Sequence, residues 1–397
     1  MKHLIIGNGI AGVSAAGSIK QIDPQAEITI VTNEDFPFYS RIRLIDYLSR
    51  QMDEEALIMK RPKWYAENGI DLRTGTVIVG IDSANKMVMT DGGEEISYDS
   101  LLLATGAVSF VPPIPGADKE GVFTLRTIED ARKINRYAEK SKRVAIIGGG
   151  VLGLEVGSNL MKAGNSVEVI EFSDRLLPRQ MDPGGAEILK SELEEKGFVF
   201  HIPAKTEEIG GAGVVESVLL DDGREVEADM VIISAGVRSD LTLPRKIGME
   251  VKMGLPVNDS METAVESIYG AGDVAEHNGR CYGIWSASEA QGKVAGTNMA
   301  GGEAVYSGTT MANALKVAGV KLFSAGEIDP DGKFESIVES NPENFSYKKM
   351  VISDNRIVGT ILYGDLKPRM KVMKALEEKR DVSGIMDALK AWDLSQL

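Results

Sequence analysis

One pattern occurs twice in this chain, and that repetition narrows what it can fold into more than any other feature. The clearer copy runs from Val144 to Glu171. Val144-Ala145-Ile146-Ile147 has the length and apolar content of a buried parallel strand. Gly148-x-Gly150-x-x-Gly153 follows, with Val151 and Leu152 between the last two glycines. An apolar-periodic run then reaches Ala163, where Gly164-Asn165 stops it, and Val167 to Ile170 forms a second strand ending on Glu171. The order is strand, glycine turn, helix, strand, acid. In such a unit the first glycine permits a tight turn. The second lets backbone approach a pyrophosphate, and the third lets helix and strand pack closely. The helix N-terminus presents free N–H groups to phosphate. An acid in the place of Glu171 accepts hydrogen bonds from a ribose 2′-OH and repels a 2′-phosphate, which favours NAD over NADP. A tight turn without a ligand is the competing reading of a single copy.

The other copy opens the chain. His3 to Ile6 is a short strand, Gly7-Asn8-Gly9-Ile10-Ala11-Gly12 is the turn, and Val13 to Lys20 is a helix rich in small residues. Pro24 marks a loop and Glu27 to Val31 is the second strand. Two dinucleotide units in one chain point to two dinucleotides held together, and the usual chemistry of that arrangement is hydride transfer between a nicotinamide and a flavin.

A chain of 397 residues exceeds one core and is expected to split into two or three domains. Its net charge of −15 argues against nucleic acid or an anionic membrane surface as partner. The apolar run in MKHLIIGNG is too short for a signal segment, and no long apolar stretch follows. A soluble cytoplasmic protein is expected. Cys281 is the single cysteine, so an intramolecular disulfide and a cysteine-ligated iron–sulfur cluster are both excluded. The three histidines, His3, His201 and His277, lack ligand spacing, and no metal site is expected.

Between the two units, Arg41 and Arg43 stand beside Phe36, Phe38 and Tyr39, and a helix is expected from Leu44. The arginines suit a pyrophosphate and a flavin edge, or equally the charged start of a surface helix. Asp71 to Ile81, Lys86 to Thr90 and Glu95 to Tyr98 read as strands, with Asp91-Gly92-Gly93 as a turn. Two apolar strands end in small-residue turns, Ser100 to Ala104 before Thr105-Gly106 and Met230 to Ser234 before Ala235-Gly236. Strand ends of this kind admit ligands in α/β sheets. Val214 to Leu220 and Glu225 to Glu227 read as a hairpin, and Ser267 to Gly270 as a short strand ending at Gly272-Asp273. A helix from Ser286 to Met299 comes next. Ala312 to Tyr363 is strand-rich, and two helices close the chain, with Lys367, Arg369, Lys371 and Lys374 forming a local basic patch. That patch is either a solvated face or a docking point for an acidic partner.

Gly7–Gly12, Ala104-Thr105-Gly106, Gly148–Glu155, Ala235-Gly236 and Gly272-Asp273 stand in the order found in the pyridine nucleotide–disulfide oxidoreductase superfamily, which the chain resembles over nearly its full length. The resemblance implies an α/β protein with two Rossmann-like dinucleotide-binding domains and a C-terminal α+β interface domain. The FAD domain is discontinuous, at 1–109 and 233–305, the NAD domain is inserted at 110–232, and the C-terminal domain covers 306–397. It implies that Gly7, Gly9, Ile10, Ala11 and Gly12 lie at the FAD pyrophosphate, that Val77 meets the adenine through its backbone, and that Arg41, Arg43 and Arg126 hold phosphate or flavin. Ala104, Thr105 and Gly106 line the same cofactor. Gly272 and Asp273 meet its ribityl chain, and the backbone of Trp285 meets the pyrimidine end of the flavin. NAD falls to Gly148, Gly150, Val151, Leu152, Gly153, Glu171, Ala235 and Gly236. Glu155 is placed near nicotinamide and flavin and is the one catalytic candidate.

Three departures from the family pattern matter. No cysteine stands near Leu44-Ile45, where the disulfide branch keeps its redox pair, so thiol relay chemistry is not expected. Asp46 stands where ferredoxin reductases of oxygenase systems usually carry a lysine near the flavin. The acid usual at position 32 is Thr32 here, and Glu34 comes two residues later as the FAD ribose candidate. The Tyr39-x-Arg41-x-Arg43-Leu44 stretch is closer to NADH:rubredoxin reductases and to the front half of NAD(P)H nitrite reductases. The sirohaem and iron–sulfur half of the latter is missing, so nitrite reduction by this chain alone is not expected. The implied activity is passage of hydride from NADH to FAD and of electrons onward to rubredoxin or an iron–sulfur protein. An NADH oxidase and a non-catalytic NADH-responsive flavoprotein share the same motifs. Monomer and homodimer are both compatible with them.

Overall fold

The computed structural model describes residues 1–48 and 52–397. Its residue contacts divide the chain into two units. The first comprises Met1–Arg43, Asp53–Val108 and Val237–Thr309, and the second Leu44–Met52, Ser109–Gly236 and Thr310–Leu397.

Each unit is built on a five-stranded parallel sheet. In the first the order is Ile268–Gly270, Ser100–Leu103, Lys2–Ile6, Glu27–Val31, Ile70–Arg73. Ile5 sits opposite Ile30 on one side and Leu102 on the other. The second sheet runs Val199–His201, Ser166–Ile170, Arg143–Ile147, Met230–Ile233, Val122–Phe123, with Ile146 between Val169 and Ile232. The central strands are apolar without alternation because both faces of a parallel sheet are covered. Helices Ile10–Ile22 and Val151–Lys162 make the crossovers.

Glycine sets how closely the first crossover helix is covered. Added Cβ atoms on Gly292 and Gly296 would lie 2.2 and 2.3 Å from the carbonyl oxygens of Ala11 and Ala15. The Trp285–Met299 helix therefore lies on the Ile10–Ile22 helix at backbone distance.

Each unit also carries a three-stranded antiparallel sheet. It is made of Ile78–Asp82, Met87–Thr90 and Glu95–Ser97 in the first unit, and of Thr206–Gly210, Ser217–Leu220 and Glu225–Glu227 in the second. Residues Thr310–Leu397 supply a five-stranded antiparallel sheet in the order Ala312–Val317, Val320–Gly326, Arg356–Tyr363, Ser346–Ser353, Glu335–Asn341. Val372 and Leu389, from helices Arg369–Glu377 and Met386–Lys390, share a core with Met350 and Ile352 of this sheet.

The strand expected from Asp71 to Ile81 is two strands in different sheets, Ile70–Arg73 and Ile78–Asp82. Gly75 turns at φ +60°, and Gly75 and Thr76 donate their N–H groups to Glu34 O and Thr32 O. This turn wraps the end of the Glu27–Val31 strand, a tertiary requirement that apolar content does not reveal. The expected strand from Val214 begins at Ser217, because Val214 bridges to Glu120 instead. Thr206–Gly210 carries too little apolar character to read as a strand alone and exists by pairing with Ser217–Leu220.

Candidate functional sites at two glycine turns

In the first turn, Gly7 takes φ +118°, and a Cβ there would meet the carbonyl oxygen of Ala104 at 2.1 Å. A Cβ on Gly12 would meet the oxygen of Gly7 at 2.1 Å. The protein's own backbone thus forbids side chains at both positions. Gly9 differs. Its φ of −87° suits any residue, and no described atom lies within 4 Å of an added Cβ. Nothing in the chain explains glycine there, whereas a group seated against the backbone would. Gly9 is also the N-cap of the Ile10–Ile22 helix, with no side-chain cap and no acid in the first turn. An uncapped N-terminus beside open space suits an anion.

The second turn repeats the arrangement. Cβ atoms on Gly148 and Gly153 would lie 2.3 Å from Ser234 O and 2.1 Å from Gly148 O. Gly150 has φ −80°, an open Cβ position and an uncapped helix behind it. Val151 and Leu152 open that helix, and Glu155 lies one turn further along it, where its carbonyl accepts Asn159 Nδ2 at 2.9 Å.

The acids after the second strands are wired differently. Glu171 is buried. Its Oε2 accepts the N–H of Gly149 at 2.6 Å and its Oε1 that of Ser173 at 2.7 Å, so the carboxylate is fixed against the glycine turn. Glu34 accepts Tyr39 OH at 2.6 Å and pairs with Arg41, whose guanidinium lies 5.3 Å from the Tyr39 ring. Two separate candidates are therefore bound to one another. Arg43 donates to Ala56 O at 3.2 Å from an exposed position. Val77 has both backbone groups engaged by Asp91, its N–H at 3.3 Å and its carbonyl at 2.9 Å.

The small-residue turns end their strands as the motifs imply. Ala104 N–H donates to Ile6 O at 2.8 Å, and Thr105 Oγ1 donates to Asp240 O at 3.2 Å. Gly106 takes φ +75° and Gly236 φ +94°. Ala235 is half-buried and Gly236 exposed in the second unit, which also contains Arg126, just before the Ile128–Ala138 helix. There Thr127 and Asp130 form a reciprocal capping box, and Asp130 also accepts the N–H of Arg126.

Gly272 and Asp273 meet the Trp285–Met299 helix. Gly272 N–H donates to Gln291 Oε1 at 2.9 Å, and Ser288 Oγ donates to Asp273 Oδ1 at 3.2 Å. Trp285 stacks on Phe38 with ring centroids 5.9 Å apart, in keeping with a packing role for its side chain.

Two residues of the first site escape sequence reasoning. Asn8, inside the glycine turn, accepts Tyr65 OH at 2.9 Å, while its buried Nδ2 has no partner among the described residues. Gln291 is buried with Nε2 in the same condition. Buried amides left half-satisfied beside an open cradle fit a ligand or water that accepts hydrogen bonds. The only signal for Asn8 was its position between Gly7 and Gly9. Gln291 had none.

The family model described as pyridine nucleotide-disulphide oxidoreductase matches residues 1–304. The chain belongs to that family. A second model, the rubredoxin NAD+ reductase C-terminal domain, matches residues 312–380. The nitrite reductase [NAD(P)H] of Bacillus subtilis is 37% identical over 382 residues, covering 96% of this chain and 48% of that protein. The assimilatory nitrate reductase electron transfer subunit of the same organism is 35% identical, over 96% of this chain and 50% of its own. The chain thus spans about half the length of these curated relatives. The NADH-rubredoxin oxidoreductase of Clostridium acetobutylicum is 30% identical over 98% of both chains. The crystal structure of NADH:rubredoxin oxidoreductase from that organism superposes with a TM-score of 0.83 over 98% of each chain.

This pyridine nucleotide-disulphide oxidoreductase has a single cysteine in its sequence. Cys281 is half-buried, burial pushes its thiol pKa up, and its Sγ lies 3.9 Å from Ser239 Oγ. That environment disfavours a nucleophilic thiolate. Among the described residues no group of three or more His, Cys, Asp or Glu is placed to hold a metal ion, and no helix is long and apolar enough to cross a membrane.

Proposed function

We propose that this chain is an FAD-dependent NADH oxidoreductase that delivers electrons to a small electron-carrier protein. The carrying observation is the pair of turns in which the middle glycine, Gly9 or Gly150, faces open space at an uncapped helix start. In this reading Gly7, Gly9, Ile10, Ala11 and Gly12 cradle the FAD pyrophosphate, with Asn8 Nδ2 and Gln291 Nε2 as further donors. Ala104, Thr105, Gly106, Gly272 and Asp273 line the rest of that cofactor, and Glu34 with Arg41 forms one paired edge of its site. Arg43, Val77, Arg126 and the Trp285 backbone complete the set by family resemblance. Gly148, Gly150, Val151, Leu152, Gly153, Ala235 and Gly236 bind NAD(H), and Glu171 accepts from the ribose. The proposed domains are the FAD pieces at 1–109 and 233–305, the NAD domain at 110–232 and the C-terminal domain at 306–397.

When bound, a flavin accepts hydride from a nicotinamide and can release the electrons singly. The chain's own share is to bind, orient and keep water from the reacting edge. In this reading Glu155 sits near the nicotinamide and flavin and is the one catalytic candidate. Cys281 is the only thiol in the sequence and is poorly placed to act as a relay, so electrons pass to an external acceptor. A one-electron carrier such as rubredoxin or another iron–sulfur protein is supported by the names of the Clostridium relative and of the C-terminal model. A second reading, an NADH oxidase using oxygen, is supported by a Methanocaldococcus jannaschii relative of that name, 37% identical over 343 residues.

The test is anaerobic rapid mixing of FAD-loaded protein with NADH, followed by air or by oxidised rubredoxin. Fast bleaching of the flavin, slow recovery in air and fast recovery with rubredoxin are expected. Fast recovery in air alone would replace the carrier with oxygen. Bleaching too slow for turnover would remove the enzymatic reading and leave an NADH-responsive flavoprotein.

A further inference from the structure

In the second unit, the segment between Glu171 and the Pro183–Glu195 helix walls the glycine turn. Leu177 donates its N–H to Gly149 O at 3.2 Å, and an added Cβ on Gly149 would come within 2.7 Å of the Leu176 side chain. Met181 closes the segment by donating to Leu177 O at 2.9 Å, while Arg175 Nε donates to Met181 O at 3.2 Å. Leu176, Leu177 and Met181 are fully buried. Segment 172–181 thus runs from the Gly149–Glu171 contact to residue 182 and packs against the turn on the way.

Asp182 is held from the C-terminal sheet. Its Oδ1 caps the helix by accepting Gly185 N–H at 3.0 Å. Its Oδ2 accepts Tyr347 OH at 2.6 Å and Lys349 Nζ at 3.0 Å, and Lys349 also donates to Asp329 O at 2.8 Å. The Lys349 and Asp182 side chains are only 5% and 9% exposed. The Tyr347 ring lies on Gly184 and Gly185, where added Cβ atoms would come within 3.5 and 3.0 Å of it. Glycine is a poor helix former, yet two open this helix and make room for the ring. Cohesion alone does not call for this chemistry, because well-packed apolar residues commonly match or exceed a buried ion pair in stability. What a fully bonded buried pair adds is a fixed geometry.

We propose that Lys349 and Tyr347 are positioning residues for the second dinucleotide site. Through Asp182 they set segment 172–181, and through it the Gly149–Glu171 contact. This inference rests on the reading of that turn as the NADH site.

The test uses FAD-loaded protein carrying Lys349→Met or Tyr347→Phe, with NAD+ affinity measured by calorimetric titration. Perturbing such a network is expected to weaken NAD+ about tenfold in Lys349→Met and about threefold in Tyr347→Phe. The KM for NADH should rise in parallel, with kcat at saturation changed less than about twofold, as expected when ground-state and transition-state binding fall together. Amide hydrogen exchange should quicken across residues 172–181 and stay unchanged in the Val320–Gly326 strand. Unchanged NAD+ affinity in both variants, whatever their melting temperature, would overturn the proposal. If Lys349→Met does not fold, Tyr347→Phe decides alone, since it removes one hydroxyl and no charge. Glu171→Ala distinguishes failure of the NADH site from failure of the positioning role. If that change leaves NAD+ affinity untouched, the site assignment itself fails, whereas a loss there with none in the Tyr347 and Lys349 variants sinks only the positioning role.

Discussion

The two glycine turns share a backbone and differ in how their surroundings are wired. Gly7 and Gly148, like Gly12 and Gly153, are excluded from bearing side chains by carbonyl oxygens at 2.1 to 2.3 Å. The strands behind them share a clasp. Asp99 accepts the N–H of Lys2 at 2.7 Å, and Asp229 accepts those of Lys142 and Arg143 at 2.9 and 3.0 Å. The acids diverge. Glu171 is bonded into its own turn, whereas Glu34 is turned toward Tyr39 and Arg41. Chain geometry is dictated by the unit's topology, which both copies share. The polar rim is free to vary because side-chain partners are not fixed by that shared topology.

Breaking the shared part should have the largest effect. Gly12→Ala and Gly153→Ala each push a methyl into backbone, and each is expected to lose about 2 to 3 kcal/mol of stability by overpacking. Thermal unfolding would show it, and equal, negligible losses would mean the turns are more pliable than drawn. Next come the open positions. Gly9→Val and Gly150→Val should leave the fold intact, yet each should cost its dinucleotide at least about 2 kcal/mol, roughly thirtyfold, through lost hydrogen bonds to a charged group. FAD retention on gel filtration reads the first and NAD+ titration the second. A variant that loses the other site's ligand instead would reverse the assignment of cofactors to turns.

The differing acids sharpen the comparison further. Glu171→Ala should erode preference for NADH over NADPH by about tenfold in kcat/KM, the size of one charge-assisted contact. Glu34→Gln should change FAD retention less, because Glu34 is tied to Tyr39 and Arg41 and not, like Glu171, to the glycine turn itself. A larger loss of FAD in Glu34→Gln would make Glu34 a direct contact of the FAD ribose. Within the first unit, Cys281 should react with a thiol reagent at pH 8 more slowly than a free thiol, since a raised pKa lowers the thiolate fraction. Cys281→Ser should leave NADH turnover unchanged, and a large loss would restore a thiol to the mechanism.

The smallest effect concerns the clasps. The Arg143 guanidinium and the two backbone N–H groups hold Asp229 down at about 2. A depressed carboxyl adds stability that is complete above its unfolded value and is lost as the pH falls toward the folded one. Acid unfolding of the second unit should therefore steepen between about pH 4 and pH 2, by less than about 1 kcal/mol given the pair's partial exposure. Asp229→Asn should flatten that part of the curve, and a curve identical to that of the unchanged protein would deny the clasp any energetic role.

Much of this architecture was legible because its determinants are local. The strands Glu27–Val31 and Ser100–Leu103 follow from apolar runs, and the Val151–Lys162 helix from its apolar period and the Gly164-Asn165 stop beyond its end. The glycine positions announce themselves by spacing. The break at Gly75 and the Thr206–Gly210 strand were not legible, because each is fixed by a distant partner, Thr32 and Glu34 in one case and Ser217–Leu220 in the other. Arg41 and Glu34 were legible as separate candidates but not as partners. Asn8 and Gln291 carry no motif, and their unpaired amides emerge only once neighbouring groups are placed.

The sequence by itself determined that there are two dinucleotide units, their order and their glycines, since steric exclusion at a turn depends on a few residues. Tertiary structure alone decided the partners of each charged side chain. It joined Lys349 and Tyr347 to Asp182 across more than 160 residues of chain, at separations of 167 and 165. The physical reason is range. Backbone sterics act between neighbours, while a buried charge must find its partner wherever the fold brings one within hydrogen-bonding distance.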